Sequence, residues 1–276
     1  MHTLDLGIST CPNDVFIFHA LMLGLVQVPD VSFDTRLADV EELNQWAASG
    51  EPHVCKVSAA AASGVLDRYA VSRTGAALGR GVGPVLVAGR SVDPCKMHGL
   101  TVAVPGLRTT ARLLLDLFCR ELGVRPVLRE VVFDRIAGLV ESGEAAAGVL
   151  IHEGRFTYQG RGLFLLQDLG RWWENRFSAP LPLGVILIRR DLGPELSRRV
   201  ETAIGASLSR ARAKPDQAWE DIRKFAQELD HATIRRHIDT FVTGYSDDLG
   251  EEGVRALGVL LAAAGWQGSA EELLVS

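Results

Sequence analysis

The 276-residue sequence has few cysteines, and their spacing excludes two common kinds of small scaffold. Cys11, Cys55, Cys95 and Cys119 include no C-x-x-C pair. This spacing is not that of a disulfide framework or a structural zinc site, and it predicts inert, reduced thiols. The zinc-hydrolase pattern H-E-x-x-H is missing as well, because Phe156 stands where the second histidine would be.

The sequence also lacks the signals of export, membrane insertion and nucleic-acid binding. Residues 1–5 carry no basic segment, and the apolar run Ala20–Val26 is too short to cross a bilayer. The 29 Lys and Arg residues are outnumbered by 34 Asp and Glu residues, and no segment concentrates enough positive charge to follow a phosphate backbone. We therefore expect a cytoplasmic protein with neither a membrane nor a nucleic acid as partner.

What is present is the composition of an ordinary globular chain. Hydrophobic residues make up 47% and charged residues 23%, and the length allows about two domains. Glycine is over-represented, with 28 residues, many of which follow an apolar run. That pattern predicts many tight turns between strands and helices.

Hydrophobic periodicity near the beginning of the chain predicts alternating strands and helices. Leu4–Ile8 alternates as a strand, and the polar turn after it predicts Asn13 or Asp14 as the N-cap of the next helix. A strand over 31–37 and a helix over 40–48 repeat the order. Alternation of this kind predicts an α/β sandwich with a mostly parallel sheet.

A second series of the same kind begins with a strand over 100–104. A helix follows from about Thr109, Asp134 is the predicted N-cap of the next helix, and a buried strand over 146–151 stops at His152. The tail of the chain is predicted to be helical.

Strand-forming passages at 85–88 and 185–188 flank this second series. We therefore expect one discontinuous large α/β domain over residues 1–90 and 184–276, with a helical C-terminal part, and a smaller inserted α/β domain over 91–183. We expect a cleft between two such domains, and clefts of this kind bind small molecules.

His152 is the predicted general base, because it comes directly after a buried strand. In open α/β sheets, ligands collect at the carboxyl ends of strands, and imidazole accepts protons near neutral pH. The alternative is a histidine that only holds its own loop. Glu153, Arg155 and Glu174 either act directly or form ion pairs that support the site.

Two other strand ends offer binding groups. The turn over 105–110 would present backbone N–H groups and the hydroxyls of Thr109 and Thr110 to an anion, unless one threonine is only an N-cap. Lys56-Val57-Ser58 offers a cation, N–H groups and a hydroxyl, and the alternative is a surface lysine beside a capping serine.

Two further features indicate no chemistry of their own. The run Gly79-x-Gly81-x-Gly83 is followed by a strand and not by a helix, so it does not predict a dinucleotide site. Cys11 has no paired base in the sequence and is predicted to be an ordinary thiol.

A family resemblance rests on motifs spread over nearly the whole chain. They are Ser9-Thr10-Cys11-Pro12-Asn13-Asp14, Lys56-Val57-Ser58, Ala77–Pro84, Val104-Pro105-Gly106 with Thr109-Thr110-Ala111, Ile151–Tyr158, Asp168-Leu169-Gly170 with Trp172-Trp173-Glu174, and Leu181-Pro182-Leu183-Gly184. In this order they resemble the 1,4-dihydroxy-6-naphthoate synthases of the futalosine route to menaquinone. The resemblance implies a periplasmic-binding-protein-like (type II) α/β fold of two domains with a cleft between them.

The resemblance also implies a cofactor-independent lyase without a metal. Its reaction would convert cyclic dehypoxanthine futalosine, a small-molecule carboxylate, to 1,4-dihydroxy-6-naphthoate and a dihydroxyfuranone, with His152 as the proton acceptor. The implied substrate-binding residues are Lys56, Val57, Ser58, Thr109 and Thr110. Thr10 stands where the family often has proline, which leaves a direct role for Thr10 open.

Two alternative functions remain at this point. Chorismate dehydratase belongs to a related family of the same pathway and fold, although the Cys-Pro-Asn-Asp opening and the His-Glu-Gly-Arg-Phe-Thr-Tyr stretch favour the naphthoate synthases. A solute-binding protein for a carboxylate would share the fold without catalysis, but such proteins are usually exported. The sequence specifies no oligomeric state.

Overall fold

The computed structural model describes residues 2–225 and 230–275. The chain divides into two compact units, each with a sheet of its own. The first unit comprises the chain up to Gly79 and the chain from Pro182 onwards, and the second comprises Arg80–Leu181. The chain therefore leaves the first unit once and returns to it once.

The helices and strands follow in chain order. The strands are β1 (His2–Ser9), β2 (Val31–Ala38), β3 (Val54–Ser58), β4 (Tyr69–Val71), β5 (Ala77–Gly79), β6 (Val85–Ala88), β7 (Thr101–Val104), β8 (Val127–Glu130), β9 (Ala147–Leu150), β10 (Phe164–Asp168) and β11 (Leu181–Arg189). The α-helices are α1 (Pro12–Met22), α2 (Val40–Ser49), α3 (Ala59–Ala62), α4 (Thr110–Glu121), α5 (Ile136–Glu141), α6 (Gly154–Thr157), α7 (Leu169–Phe177), α8 (Pro194–Ala213), α9 (Pro215–Phe225), α10 (His231–Phe241), α11 (Gly244–Asp247), α12 (Gly250–Ala263) and α13 (Ala270–Leu273). Short 3₁₀ helices lie at Pro94–Lys96, Phe133–Arg135, Tyr158–Arg161 and Arg190–Leu192.

The sheet of the first unit has the strand order β2-β1-β3-β11-β4, and β5 also pairs with β11. β1 runs parallel to β2 and to β3. β11 runs antiparallel to β3 and to β4. The sheet is therefore mixed, and the predicted mostly parallel sheet is wrong.

The sheet of the second unit is mixed in the same way, with the order β10-β6-β9-β7-β8. β7 is parallel to β8 and β9, whereas β6 is antiparallel to β9 and β10. Apolar alternation identifies a strand but carries no information about the direction of its neighbours, which is why the sequence prediction failed here.

Helix α1 packs against β1, α8, α9 and α10 at the centre of the first unit. Its residues from Pro12 to Leu21 are all buried. A helix that is buried on every side needs no polar face, so its sequence shows no helical period. Without that period the start of α1 cannot be located from the sequence. The predicted N-cap at Asn13 or Asp14 is wrong, because Cys11 is the N-cap.

Other helix starts agree with the sequence more closely. Asp39 and Thr109 are the N-caps of α2 and α4, and each accepts a backbone N–H through its side chain. Asp134, in contrast, lies inside a 3₁₀ helix that runs into α5, so its predicted capping role is wrong.

The parallel pairs in each sheet bring the predicted functional segments to common edges. In the first unit, β1 and β3 are parallel neighbours that end at Ser9 and Ser58. In the second unit, β7 and β9 are parallel neighbours that end at Val104 and Leu150. The loop before Thr109 and the segment of His152 therefore begin at the same edge of one sheet, where α/β folds bind ligands.

Candidate functional site

Lys56 lies in β3 and forms an ion pair inside the first unit. Its Nζ donates to the carbonyl oxygen of Gly75 at 2.7 Å and lies 3.2 Å from Asp14 Oδ1. Lys56 is 5% exposed and Asp14 is 3% exposed. The alternative of a surface lysine is therefore wrong, and two of the three ammonium N–H bonds are directed into the protein.

Asp14 collects hydrogen-bond donors from the end of β1 and the start of α1. Ser9 Oγ donates to Asp14 Oδ2 at 2.7 Å, and Asn13 Nδ2 donates to Asp14 Oδ1 at 2.7 Å. Together with Lys56, these donors balance a carboxylate that would be costly to bury alone. Ser9, Asn13, Asp14, Lys56 and the Gly75 carbonyl are called the lysine cluster below.

Ser58 ends β3 and is held by two hydrogen bonds to Asn44 of α2. The Ser58 N–H donates to Asn44 Oδ1 at 2.8 Å, and Asn44 Nδ2 donates to Ser58 Oγ at 3.1 Å. Because Ser58 Oγ accepts from Asn44, its own proton can be donated to a different acceptor. Ser58 stands before α3 but makes no capping bond through its side chain, so the capping alternative is wrong. Val57, between Lys56 and Ser58, is buried.

Thr109 is the N-cap of α4, and its hydroxyl bonds within its own loop. Oγ1 accepts from the Arg112 N–H at 3.2 Å and donates to the Gly106 carbonyl at 2.8 Å. The N-cap alternative therefore describes what the Thr109 hydroxyl does in this structure. Thr110, the first residue of α4, is also buried, and it lies at the end of the helix that carries a partial positive charge.

His152 follows β9 and has an unusual backbone conformation. Its φ is 51°, in the left-handed region that residues other than glycine rarely adopt. Its ring lies edge-on to Phe133, with the ring centroids 5.0 Å apart and the planes at 68°. Residues held in such conformations cluster at functional sites, so the geometry favours a role beyond packing.

Arg155 connects the segment after His152 to two other parts of the second unit. Its guanidinium donates to the Gly83 carbonyl and lies 3.6 Å from Asp168 Oδ2. Asp168 Oδ1 also accepts from the Arg171 N–H at 3.0 Å and so caps α7. Burial lowers the pKa of Arg155, and the nearby negative charge of Asp168 opposes that effect. The guanidinium remains charged at neutral pH.

Glu174 supports the glycine-rich loop at the start of the second unit. Its Oε1 accepts from the Gly81 N–H at 2.6 Å. The neighbouring Trp173 is fully buried, and its Nε1 donates to the Pro180 carbonyl at 3.2 Å. In this structure both side chains therefore hold the framework of the unit together.

All four cysteines are free thiols. Cys95 is exposed and the other three are buried. Burial raises the pKa of Cys119 to about 11 and also raises the pKa of Cys55. Both groups are therefore protonated at neutral pH and poor nucleophiles.

The described residues contain neither a candidate metal site nor a helix that could span a membrane. In the part of the chain that the structure describes, no three His, Cys, Asp or Glu residues are grouped so that they could hold a metal ion. No helix within residues 2–225 and 230–275 combines the length and the apolar character needed to cross a membrane.

Three residues that contact the predicted site residues are not identified as site residues by the sequence. Asp14 and Asn44 hold Lys56 and Ser58, and Phe133 contacts His152. The sequence predicts Asp14 as a helix cap, and its place in a polar segment after β1 is the signal for its role beside Lys56. Asn44 and Phe133 come from elements whose partners only the tertiary structure reveals.

Near-full-length relatives identify the family. A family model described as menaquinone biosynthesis matches residues 4–265. The 1,4-dihydroxy-6-naphthoate synthase of Thermus thermophilus is 48% identical over 270 residues, which cover 98% of this chain and 97% of that protein. The protein of the same name from Streptomyces coelicolor is 41% identical over 269 residues, with 96% and 94% covered. The chain belongs to the 1,4-dihydroxy-6-naphthoate synthase family. The resemblance stated from the motifs is confirmed.

Family membership makes the chain an enzyme of menaquinone biosynthesis. The prediction that the chain is an enzyme is therefore confirmed. The alternative of a solute-binding protein without catalysis is set aside on the same ground.

Solved structures of similar proteins agree with the predicted fold. Protein AF1704 from Archaeoglobus fulgidus has a TM-score of 0.88 and 35% identity, with 96% of this chain and 97% of that chain covered. The Candida albicans CA3427 product, described as having the generic periplasmic-binding-protein fold, has a TM-score of 0.70 with 99% and 94% covered. Its 12% identity supports a likeness of fold alone. The prediction of a two-domain periplasmic-binding-protein-like fold is confirmed.

Proposed function

We propose that this enzyme converts cyclic dehypoxanthine futalosine to 1,4-dihydroxy-6-naphthoate and a dihydroxyfuranone, with His152 as the general base. The observation that carries the proposal is the strained position of His152 at a strand end, in a chain of this family. The motif resemblance implies a reaction that needs no cofactor, and this is part of the proposal.

The proposed chemistry begins with proton transfer from a substrate carbon to the His152 imidazole. The electron pair of the broken C–H bond forms a double bond in the ring system. The bond to the leaving fragment breaks, and its electron pair leaves with that fragment, which takes up a proton. The bicyclic product becomes aromatic. A correctly placed general base contributes about 10²- to 10⁴-fold in rate. The half-buried His152 ring beside Phe133 fits this task, because contact with an apolar ring restricts the directions that the imidazole can take.

The proposed site for the substrate carboxylate is the start of α4 with Thr109 and Thr110. A helix N-terminus stabilises a partly buried negative charge by up to about 2 kcal/mol. Since the Thr109 hydroxyl bonds to Arg112 and Gly106, Thr109 contributes by fixing the loop and the helix start. Thr110 is the threonine proposed to bind the carboxylate through its hydroxyl.

Lys56-Val57-Ser58 is the second proposed substrate-binding stretch. The lysine cluster directs two N–H bonds of Lys56 inward, which leaves the third for a substrate oxygen. Asn44 fixes the Ser58 hydroxyl so that it can donate to a substrate acceptor. Both groups suit the carbonyl and hydroxyl oxygens of a sugar-derived portion.

The experiment that tests the proposed base compares the wild-type enzyme with His152→Asn. Each protein is mixed with cyclic dehypoxanthine futalosine and, separately, with chorismate, and products are identified by mass spectrometry. We expect naphthoate from the first substrate only, a kcat of His152→Asn lower by about 10²-fold or more, and nearly unchanged substrate binding.

Exposed His98 supplies a matched control, because His98→Asn makes the same chemical change outside the proposed site. This control is expected to keep the wild-type kcat. An unaltered kcat in His152→Asn would remove His152 from the mechanism. Turnover of chorismate in place of the futalosine derivative would overturn the proposed reaction.

A further inference from the structure

We propose that Arg155 is a positioning residue for His152, anchored by Asp168 and the Gly83 carbonyl. This inference rests on the proposed role of His152 as the base. It assigns a function to a largely buried guanidinium that the mechanism above does not use.

The backbone at His152 needs support from its surroundings. A φ of 51° is unfavourable for an L residue with a side chain, and it persists only where neighbouring structure holds it. The chain that follows is the single helical turn α6, closed by the hydrogen bond from the Phe156 N–H to the Glu153 carbonyl at 2.9 Å. One helical turn is not stable by itself.

Arg155 anchors the helical turn α6 to other parts of the second unit. It lies in α6, donates to the Gly83 carbonyl and pairs with Asp168 at 3.6 Å. The Arg155 and Asp168 side chains are only 13% and 16% exposed, so water screens their attraction weakly. The ion pair therefore restrains the turn that follows His152.

Both anchors belong to the rigid framework of the second unit. Asp168 ends β10, pairs in register with Val85 of β6, and caps α7. Gly83 is packed against Gly170, since a Cβ on Gly83 would lie 2.2 Å from the Gly170 Cα. Neither anchor can shift without disturbing the contact between these two segments.

The contacts of Arg155 favour an indirect role over substrate binding. One terminal nitrogen bonds to Gly83 and the other faces Asp168, and the guanidinium carbon lies 5.7 Å from the centre of the Phe156 ring. These partners all belong to the second unit, and they direct the guanidinium into its framework. Arg155 is thus placed to act through the position of His152.

The test measures kcat and KM for Arg155→Ala, Arg155→Lys and Asp168→Asn with cyclic dehypoxanthine futalosine. Misplacement of a base by about 1 Å costs roughly 10²-fold, so we expect kcat to fall by about 10- to 100-fold in Arg155→Ala while KM stays within about 2-fold. Arg155→Lys keeps the charge and is expected to recover part of the rate. Asn is as good an N-cap as Asp, so Asp168→Asn removes the ion pair and keeps the cap of α7.

A double variant separates positioning from a general structural role. If Arg155 acts only through His152, then His152→Asn combined with Arg155→Ala is no slower than His152→Asn alone. Arg161→Ala is the matched control, because it removes an exposed arginine that pairs with Glu141 in the same unit, and it is expected to keep the wild-type kcat. Urea unfolding of each variant identifies any that fails to fold, and Asp168→Asn then carries the test.

The outcomes distinguish this inference from the proposed function. A His152→Asn enzyme with full kcat overturns the role of the base. A slow His152→Asn enzyme beside an unchanged Arg155→Ala and Asp168→Asn overturns only the positioning role. Rate losses that multiply in the double variant, or a large rise in KM for Arg155→Ala, also overturn it, because both mean that Arg155 acts independently of His152.

Discussion

The ion pair between Lys56 and Asp14 is nearly inaccessible to solvent, and this makes it energetically different from the surface pairs of the chain. A surface pair contributes about 0–1 kcal/mol. A buried charge that loses its partner costs far more, because neither water nor a counter-ion replaces the lost contact. Single substitutions in the lysine cluster should therefore affect stability as well as substrate binding.

We expect Lys56→Met and Asp14→Asn to behave non-additively. Lys56→Met leaves the Asp14 carboxylate buried without its cation and should lower the free energy of unfolding by about 3–5 kcal/mol. The double variant removes both charges and should lose much less than the sum of the two single losses. Urea unfolding followed by circular dichroism measures each value.

Substrate affinity gives the second part of this prediction. If Lys56 also binds the substrate, the double variant regains stability but not affinity, which a dissociation constant would show. Strictly additive losses of stability would contradict the coupling between Lys56 and Asp14.

For single residues, the sequence predicted which positions belong to the candidate site better than it predicted which side chains contact each other. His152, Thr109 and the Lys56 stretch can be found because each lies at or after the end of a recognisable strand. The contacts from Arg155 to Gly83 and from Lys56 to Asp14 join segments that are distant in the sequence. Such pairs depend on strand order, which local patterns do not contain.

Among the elements, α4 and α1 show when a helix start can be read from sequence. α4 has one buried face and one polar face, so its period and its N-cap Thr109 are both visible. α1 is buried on every side and begins at a proline, so the sequence predicts a cap at the polar Asn13 or Asp14, whereas the N-cap is Cys11. β4 and β5 were not predicted because three residues are too few to show alternation.

The start of α4 gives a prediction that separates capping from ligand binding. Thr109→Ala removes the bond to the Arg112 N–H and should lower the free energy of unfolding by about 1 kcal/mol, whereas Thr109→Ser should restore it. Thr110→Val leaves the cap in place and should weaken substrate binding. Calorimetric titration with substrate and urea unfolding check the two effects, and an unmoved dissociation constant for Thr110→Val would end its proposed role.

For the whole molecule, one strand of each sheet determines which segment of the chain could fold as a separate fragment. β6 lies between β9 and β10 in the second unit. β11 lies between β3 and β4 in the first unit, although in the sequence it follows the whole of the second unit. The second unit is therefore continuous in the chain, and the first is not.

We expect a fragment of residues 80–181 to fold by itself, because it contains all strands of its sheet. A fragment that starts at residue 91 lacks β6, which leaves β9 and β10 without the strand that joins them, and it should not fold. Cooperative urea unfolding measured by circular dichroism distinguishes the two. Equal cooperativity in both fragments would show that β6 is dispensable for the second unit.

The place of β11 in the chain also sets an order of events during synthesis. Ribosomes add about 5–20 residues per second. Because β11 is complete about 130 residues after β3, the edge of β3 that pairs with β11 stays unpaired for roughly 7–26 s of synthesis. The second unit emerges in full during this interval. The nascent first unit therefore exposes an unpaired strand edge at the time when aggregation competes with folding.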